Sequence, residues 1–153
     1  MYIPYGKHFI DKKDIDAVSK SLSNRFITQG PLIEKFEQEI CRIVKSKYAV
    51  ALSSCSAGLH LAVASLKRNK KKNKIITSPI SFVSTGNAIL HNHYKPVFID
   101  IDKYSLNLNN ENLEKFLNKD KKVSAVLTVH LGGLPMDSKR LYELSKAKQV
   151  WVI

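Results

Sequence analysis

Apolar residues recur along this chain first at helical spacing and later in short continuous runs. Ile15, Val18 and Leu22 stand three to four apart behind Asp11, a candidate N-cap with Asp14 in the first turn, and together they predict a first helix. The segment SNRFITQG (23–30) breaks that period. Pro31 behind Gly30 marks a second helix start, and Ile33, Phe36, Ile40, Ile43 and Val44 give it one stripe for a core. Residues 48–52 (YAVAL) form a compact apolar run of strand length, and Leu59, Ala62, Val63 and Leu66 predict a helix from 57 to about 67.

Three further strand-and-helix pairs follow. KIITS (74–78) precedes a helix from 82 or 83 to about 91, and KPVFIDI (95–101) precedes a helix capped by Asn109 or Asn110 that carries Leu113, Phe116 and Leu117. Residues 123–129 form the third strand. Gly132, Gly133 and Pro135 then interrupt the chain before a helix presenting Leu141, Leu144 and Ala147, and VWVI (150–153) opens one more apolar segment. Strand and helix thus alternate about five times, with strands apolar at successive positions. Strands buried on both faces read this way, which predicts an α/β fold with a mostly parallel sheet covered by helices. Such sheets gather their chemistry at the carboxyl ends of the strands.

A hydrophobic content of 44% in 153 residues suits one globular domain. The charge adds a second feature: 25 Lys and Arg against 13 Asp and Glu give +12. That favours anionic ligands such as phosphates. Lysine supplies 21 of those cations and arginine only Arg25, Arg42, Arg68 and Arg140, so the guanidinium forks suited to sequence-specific reading of nucleic acid are scarce. RNKKKNK (68–74) reads as a solvated helix end and loop. Cys41 and Cys55 are too few for a disulfide framework and suit a reducing compartment. MYIPYGKHFIDKKD has no signal-peptide core, and no apolar run reaches the roughly 20 residues of a membrane span, so a cytoplasmic location is expected. His8, His60, His91, His93 and His130 follow no metal-ligand spacing, and no metal is expected.

Three places carry candidate chemistry. SSCSAGLHLAV (53–63) puts small and hydroxylated residues at a strand-to-helix junction, where backbone N–H groups and the helix dipole can receive a phosphate; the alternative is simple capping and close packing. It is neither of the familiar glycine-rich nucleotide motifs. In TSPISFVSTGNA (77–88), Phe82 either stacks on a planar ring or joins the core, with Ser84, Thr85 and Asn87 as polar neighbours. In VHLGG (129–133), His130 either faces a ligand or is a hydrogen-bonded loop histidine. Cys55 as a nucleophile lacks an identifiable base.

FITQGPLIEKFE, YAVALSSCSAGLHLAV, KIITSPISFVSTGNAIL, YKPVFIDID and VLTVHLGGLPMD occur in an order and spacing that resembles the DegT/DnrJ/EryC1/StrS sugar aminotransferases, from about residue 5 to residue 153. The resemblance implies the N-terminal part of the large domain of the aspartate-aminotransferase type pyridoxal-phosphate fold. It divides the chain into an N-terminal arm, first helix and substrate-side loop (1–30) and a cofactor-binding large domain (31–153). It implies pyridoxal 5′-phosphate as cofactor, held by Ser56 and Ala57 at the phosphate and by Phe82 at the ring, with Thr85 a further candidate. Tyr5, Arg25, Phe26, Ile27, Thr28, Cys55 and His130 would line a nucleotide-sugar pocket, and Arg25 could pair with the diphosphate.

The implied reaction converts a UDP-linked 4-keto-6-deoxy sugar to its 4-amino derivative with glutamate as donor, in surface-glycan or pseudaminic-acid biosynthesis, within a homodimer whose subunits share each site. No membrane and no specific nucleic acid are implied as partners. The family's pyridine-binding aspartate and catalytic lysine match no residue of 1–153. On that reading the chain is a truncated portion, inactive alone. The alternative is a catalytically inactive α/β remnant that binds anions or dimerises.

Overall fold

The computed structural model of the protein describes residue 4, residues 6–66 and residues 71–153. Tyr5 and residues 67–70, which include Arg68 and part of the basic stretch, lie outside them. The chain divides into two compact units, Met1–Ala51 and Leu52–Ile153.

The first unit holds two helices. α1 (Lys12–Leu22) opens on a reciprocal cap: the Asp11 carboxylate accepts from the N–H groups of Lys13 (2.7 Å) and Asp14 (3.1 Å), and Asp14 Oδ2 accepts from Asp11 N–H (2.9 Å). α2 (Pro31–Val44) has Gly30 as N-cap and proline in its first turn, where a missing N–H costs nothing, and it ends at Lys45 in the left-handed region (φ 55°). The apolar stripe expected to serve a core does not do so within this unit. Val18, Phe36 and Ile43 remain 61%, 57% and 64% exposed, because no sheet among the unit's described residues receives them. Residues 48–52 are likewise irregular rather than a strand. A strand needs a neighbour, and here Ala51 N–H is satisfied by the Glu37 carboxylate at 2.8 Å instead.

Gly30 closes the 26–30 turn. A Cβ at that position would stand 2.9 Å from the Phe26 carbonyl oxygen, a contact only backbone movement can relieve, whereas Gly86 has open space around it. Gly30→Ala should therefore lose about 1–3 kcal/mol. Gly86→Ala, in the interior of a helix, should gain about 0.5–1 kcal/mol. Urea denaturation of the two variants checks the opposite signs.

The second unit is the α/β layer. It comprises α3 (Cys55–Ala64), β1 (Lys74–Thr77), α4 (Val83–His91), β2 (Lys95–Phe98), α5 (Asn110–Lys119), β3 (Val123–Val126), a 3₁₀ turn (Leu131–Gly133), α6 (Ser138–Lys148) and β4 (Trp151–Val152). The four strands are parallel in the order β2-β1-β3-β4. The central strands are buried throughout β3 and over three of four residues in β1, which explains their unbroken apolar runs. One face of the sheet joins Ile75, Ala125 and Leu127 to Val63, Ala88 and Ile89 of α3 and α4. The other joins Ile76 and Val126 to Leu113 and Leu117 of α5 and Leu141 and Leu144 of α6.

The strands are shorter than their apolar runs because pairing stops first. Beyond β2, Ile101 turns to bridge Leu108 in antiparallel fashion. α3 starts at Cys55, two residues before the expected 57, because Ser54 caps it by accepting from Ala57 N–H at 3.1 Å. Asn109 caps α5 as the sequence allowed, accepting from Asn112 N–H at 3.0 Å.

At the amino edge of the sheet Lys74 Nζ meets Asp120 Oδ2 at 2.6 Å, with side chains 27% and 20% exposed. The Lys74 hydrogen bond, then the Lys122 N–H, hold the Asp120 carboxyl below its ordinary value. A depressed carboxyl stabilises the fold above its unfolded-state value and loses that contribution as pH falls through the folded-state value. Asp120→Asn should therefore cost about 1 kcal/mol at pH 7. Denaturation curves for the two proteins should converge once the pH lies below the folded-state value.

Candidate functional site

The chain runs from β1 through α4 to β2 on one side, then crosses back over β1 through α5 to reach β3. The strand order therefore reverses between β1 and β3, and their carboxyl ends mark the position where open α/β sheets form a ligand crevice. Thr77, the last residue of β1, is fully buried and donates its hydroxyl to the Leu127 carbonyl at 2.9 Å, fastening the sheet at that position. Thr77→Val would leave that carbonyl short of a donor and should cost about 1–3 kcal/mol, read by denaturation.

Two helices begin at this edge. α4 follows β1 and so starts there. α3 lies beside it in the same sense, since its second half meets the second half of α4: Val63 shares a core with Ile89, the His60 and His91 rings stand 6.3 Å apart, and the Asn92 amide donates to the His60 carbonyl at 3.1 Å. Neither helix has an acidic residue in its first turn. Ser54 Oγ already takes the Ala57 N–H. Among the described residues, the N–H groups of Cys55 and Ser56 meet no acceptor, and the side chains of both residues are exposed. α4 has no side-chain cap at all, because Phe82 occupies the N-cap position.

Phe82 is 75% exposed, so the core alternative for this ring does not apply. Ser78, 2% exposed, sets up the approach: its hydroxyl accepts from Ile80 N–H at 3.1 Å and its carbonyl receives the Ser81 hydroxyl at 3.4 Å. Thr85 lies one turn into α4 and is buried at 6% exposure. His130 follows β3 at the same edge and is exposed, with its carbonyl accepting from Gly133 N–H at 3.0 Å. Cys55, Ser56, Ala57, Phe82, Thr85 and His130 are thus all placed by the second unit.

Arg25, Phe26, Ile27 and Thr28 belong to the first unit and are exposed there. The Arg25 guanidinium lies 5.4 Å from the centre of the Phe26 ring, a cation–π contact. Ser54, whose hydroxyl the sequence offers as an anion donor beside that of Ser56, is occupied as the cap of α3, while Thr77 and Ser78 hold the site's backbone in a role the sequence does not announce. Their only signal was a hydroxyl at each strand or loop end.

Lys72 and Lys74 of the basic stretch sit elsewhere. Lys72 Nζ donates to the Gln149 carbonyl at 2.6 Å and Lys74 binds Asp120, both at the amino edge of the sheet, opposite Ser56 and Phe82. Among the described residues, no group of three or more His, Cys, Asp or Glu is arranged to hold a metal ion. No helix among them is long and apolar enough to cross a membrane.

Residues 8–153 match the DegT/DnrJ/EryC1/StrS aminotransferase family. Spore coat polysaccharide biosynthesis protein SpsC of Bacillus subtilis is 35% identical over 152 residues, 99% of this chain and 38% of that protein. Among solved structures, Helicobacter pylori PseC, an aminotransferase involved in the biosynthesis of pseudoaminic acid, superposes with a TM-score of 0.91 at 29% identity over 97% of this chain and 40% of its own. GDP-4-keto-6-deoxymannose-3-dehydratase (ColD), crystallised as an H188N mutant with bound GDP-perosamine, gives a TM-score of 0.89 at 26% identity over 97% of this chain and 39% of its own. The chain spans 38–39% of the length of the curated relatives it matches. With a parallel α/β sheet in this strand order and a match over nearly its whole length, the chain belongs to the DegT/DnrJ/EryC1/StrS aminotransferase family.

Proposed function

We propose that this chain supplies the phosphate-holding and ring-holding part of a pyridoxal-phosphate-dependent aminotransferase acting on a nucleotide-linked keto sugar. One observation carries the reading: the acid-free amino end of α3 and the 75% exposed ring of Phe82 share the carboxyl edge of the sheet in a chain of this family. The donor set fits a phosphate dianion. Two N–H groups, the Ser56 hydroxyl and the positive end of a ten-residue helix face solvent with no carboxylate in the first turn. Ala57 N–H would join them when the Ser54 hydroxyl turns away. Phe82 offers the flat apolar surface that a pyridine ring requires. Thr85, buried one turn along α4 and donating its N–H to the Phe82 carbonyl at 3.0 Å, is a further candidate for the cofactor.

When bound, the cofactor acts as an electron sink for the carbon that exchanges its proton and amino group. This chain contributes orientation: a two-point hold at phosphate and ring fixes the plane of the cofactor and shields one of its faces from water. Cys55 and His130 would receive the nucleotide sugar at the second unit, and Tyr5 and Arg25 to Thr28 would each contact a nucleotide sugar in this or a neighbouring subunit of a homodimer. Arg25 would exchange its Phe26 contact for the diphosphate, where its planar fork binds two oxygens at once. Lys72 and Lys74 are not assigned the anchoring role, since their ammonium groups lie at the opposite sheet edge.

The finer reading is a UDP-linked 4-keto-6-deoxy sugar aminated at C4 with glutamate as donor, for a surface glycan or pseudaminic acid, within a homodimer. The likeness to PseC and SpsC supports it. A second reading, loss of water from a nucleotide-linked keto sugar, is favoured by the likeness to ColD.

Mass spectrometry of the product separates the two, using the protein that carries this chain with pyridoxal phosphate, glutamate and the keto sugar. Amino transfer adds nitrogen to the sugar, whereas dehydration removes oxygen without adding nitrogen. A sugar recovered unchanged in both respects would contradict both readings.

A further inference from the structure

We infer that Asn107 is the positioning residue for His130, a role that rests on the reading that His130 faces the nucleotide sugar. Asn107 is 2% exposed and spends its whole side-chain amide on one loop. Its Oδ1 accepts from Leu131 N–H at 3.1 Å, and its Nδ2 donates to the Leu134 carbonyl at 2.8 Å. The 3₁₀ turn immediately after His130 is therefore gripped at both ends by a single side chain.

That turn needs a grip. Gly132 and Gly133 both adopt positive φ (62° and 84°), and a Cβ built on either would stand in open space, with no atom within 4 Å to restrict it. Glycines in such surroundings have the largest freedom to lose, so the path of the backbone out of His130 is set by its hydrogen bonds rather than by packing. The platform beneath the clamp is rigid. Asn107 C=O accepts from Asp102 N–H at 2.8 Å, Leu106 N–H returns to the Asp102 carbonyl at 2.8 Å, and the adjoining Leu108, 3% exposed, is bridged to Ile101 and anchored in the core. A buried amide whose donor and acceptor are both engaged transmits that rigidity to the loop bearing the histidine.

Amide hydrogen exchange and the His130 imidazole resonance test this on the protein without any ligand. In Asn107→Leu, close in volume but unable to hydrogen-bond, exchange at Leu131 should accelerate by on the order of 10- to 100-fold. Leu127, whose N–H donates to Ile76 in the sheet at 2.8 Å, should keep its rate. The His130 imidazole resonance should move. Asn107→Asp, which retains the acceptor, should leave Leu131 protected.

An unchanged Leu131 rate in Asn107→Leu, equal acceleration at Leu131 and Leu127, or an unmoved His130 resonance would overturn the inference. UDP titration adds the functional link: Asn107→Leu should weaken UDP no further in a His130→Ala background. Full additivity would overturn the link through His130. Failure of the unaltered protein to bind UDP would count against the substrate reading of the preceding section, while the exchange and resonance measurements would still decide the clamp.

Discussion

Ser56→Asp should make the free protein more stable and at the same time abolish its affinity for pyridoxamine 5′-phosphate. Ser56 is the second residue of α3, a helix with no acid in its first turn. A carboxylate placed there complements the helix dipole and should add about 0.3–1 kcal/mol to stability. The same carboxylate would face the ligand's phosphate. Two unit charges about 4 Å apart repel by about 4 kcal/mol at an effective dielectric near 20, which corresponds to a loss of affinity beyond about 100-fold. Ser56→Ala removes one hydroxyl donor and should cost about tenfold. Denaturation and calorimetric titration read the two effects separately. Unchanged affinity in Ser56→Asp would show that no phosphate sits at this turn. The amine form of the cofactor is the right probe because the aldehyde reacts with lysine amines, and the chain has 21 lysines.

Leu113→Ala should cost about 2–5 kcal/mol, and Phe36→Ala within about 0.5 kcal/mol, although phenylalanine is the larger side chain. Leu113 is fully buried between α5 and the sheet, whereas Phe36 is 57% exposed on α2. For a domain with a stability of about 5–15 kcal/mol, the first change removes much of the margin. Urea denaturation of both variants checks the contrast. An equal loss for Phe36→Ala would mean that the apolar face of α2 is covered in solution.

These contrasts show where the sequence is legible. Caps are local chemistry, so Asp11 with Asp14, Pro31 and Asn109 announce their helices within four residues. The central strands are legible for a similar reason, since residues buried on both faces leave no polar position to alternate with. The α2 stripe and residues 48–52 mislead because periodicity reports which face is apolar, while burial and strand pairing depend on what lies opposite. Spacing could not join Ser56 to Phe82 either, 26 positions apart. Their common edge follows from the strand reversal and from α3 lying beside α4. Asn107 escaped notice entirely, because within NLNN it resembles another capping residue and its partners stand 24 and 27 residues further on.

The central claim, that the amino end of α3 and the Phe82 ring hold a phosphorylated pyridine, is tested most directly by ¹⁵N-resolved NMR titration of the protein with pyridoxamine 5′-phosphate, and with pyridoxamine as the control lacking the phosphate. Saturable shifts are expected at the amides of Cys55, Ser56 and Phe82, with affinity at least tenfold weaker for pyridoxamine. Shifts confined to the lysines at 71–74 and 119–122, with Cys55, Ser56 and Phe82 unmoved, would contradict it.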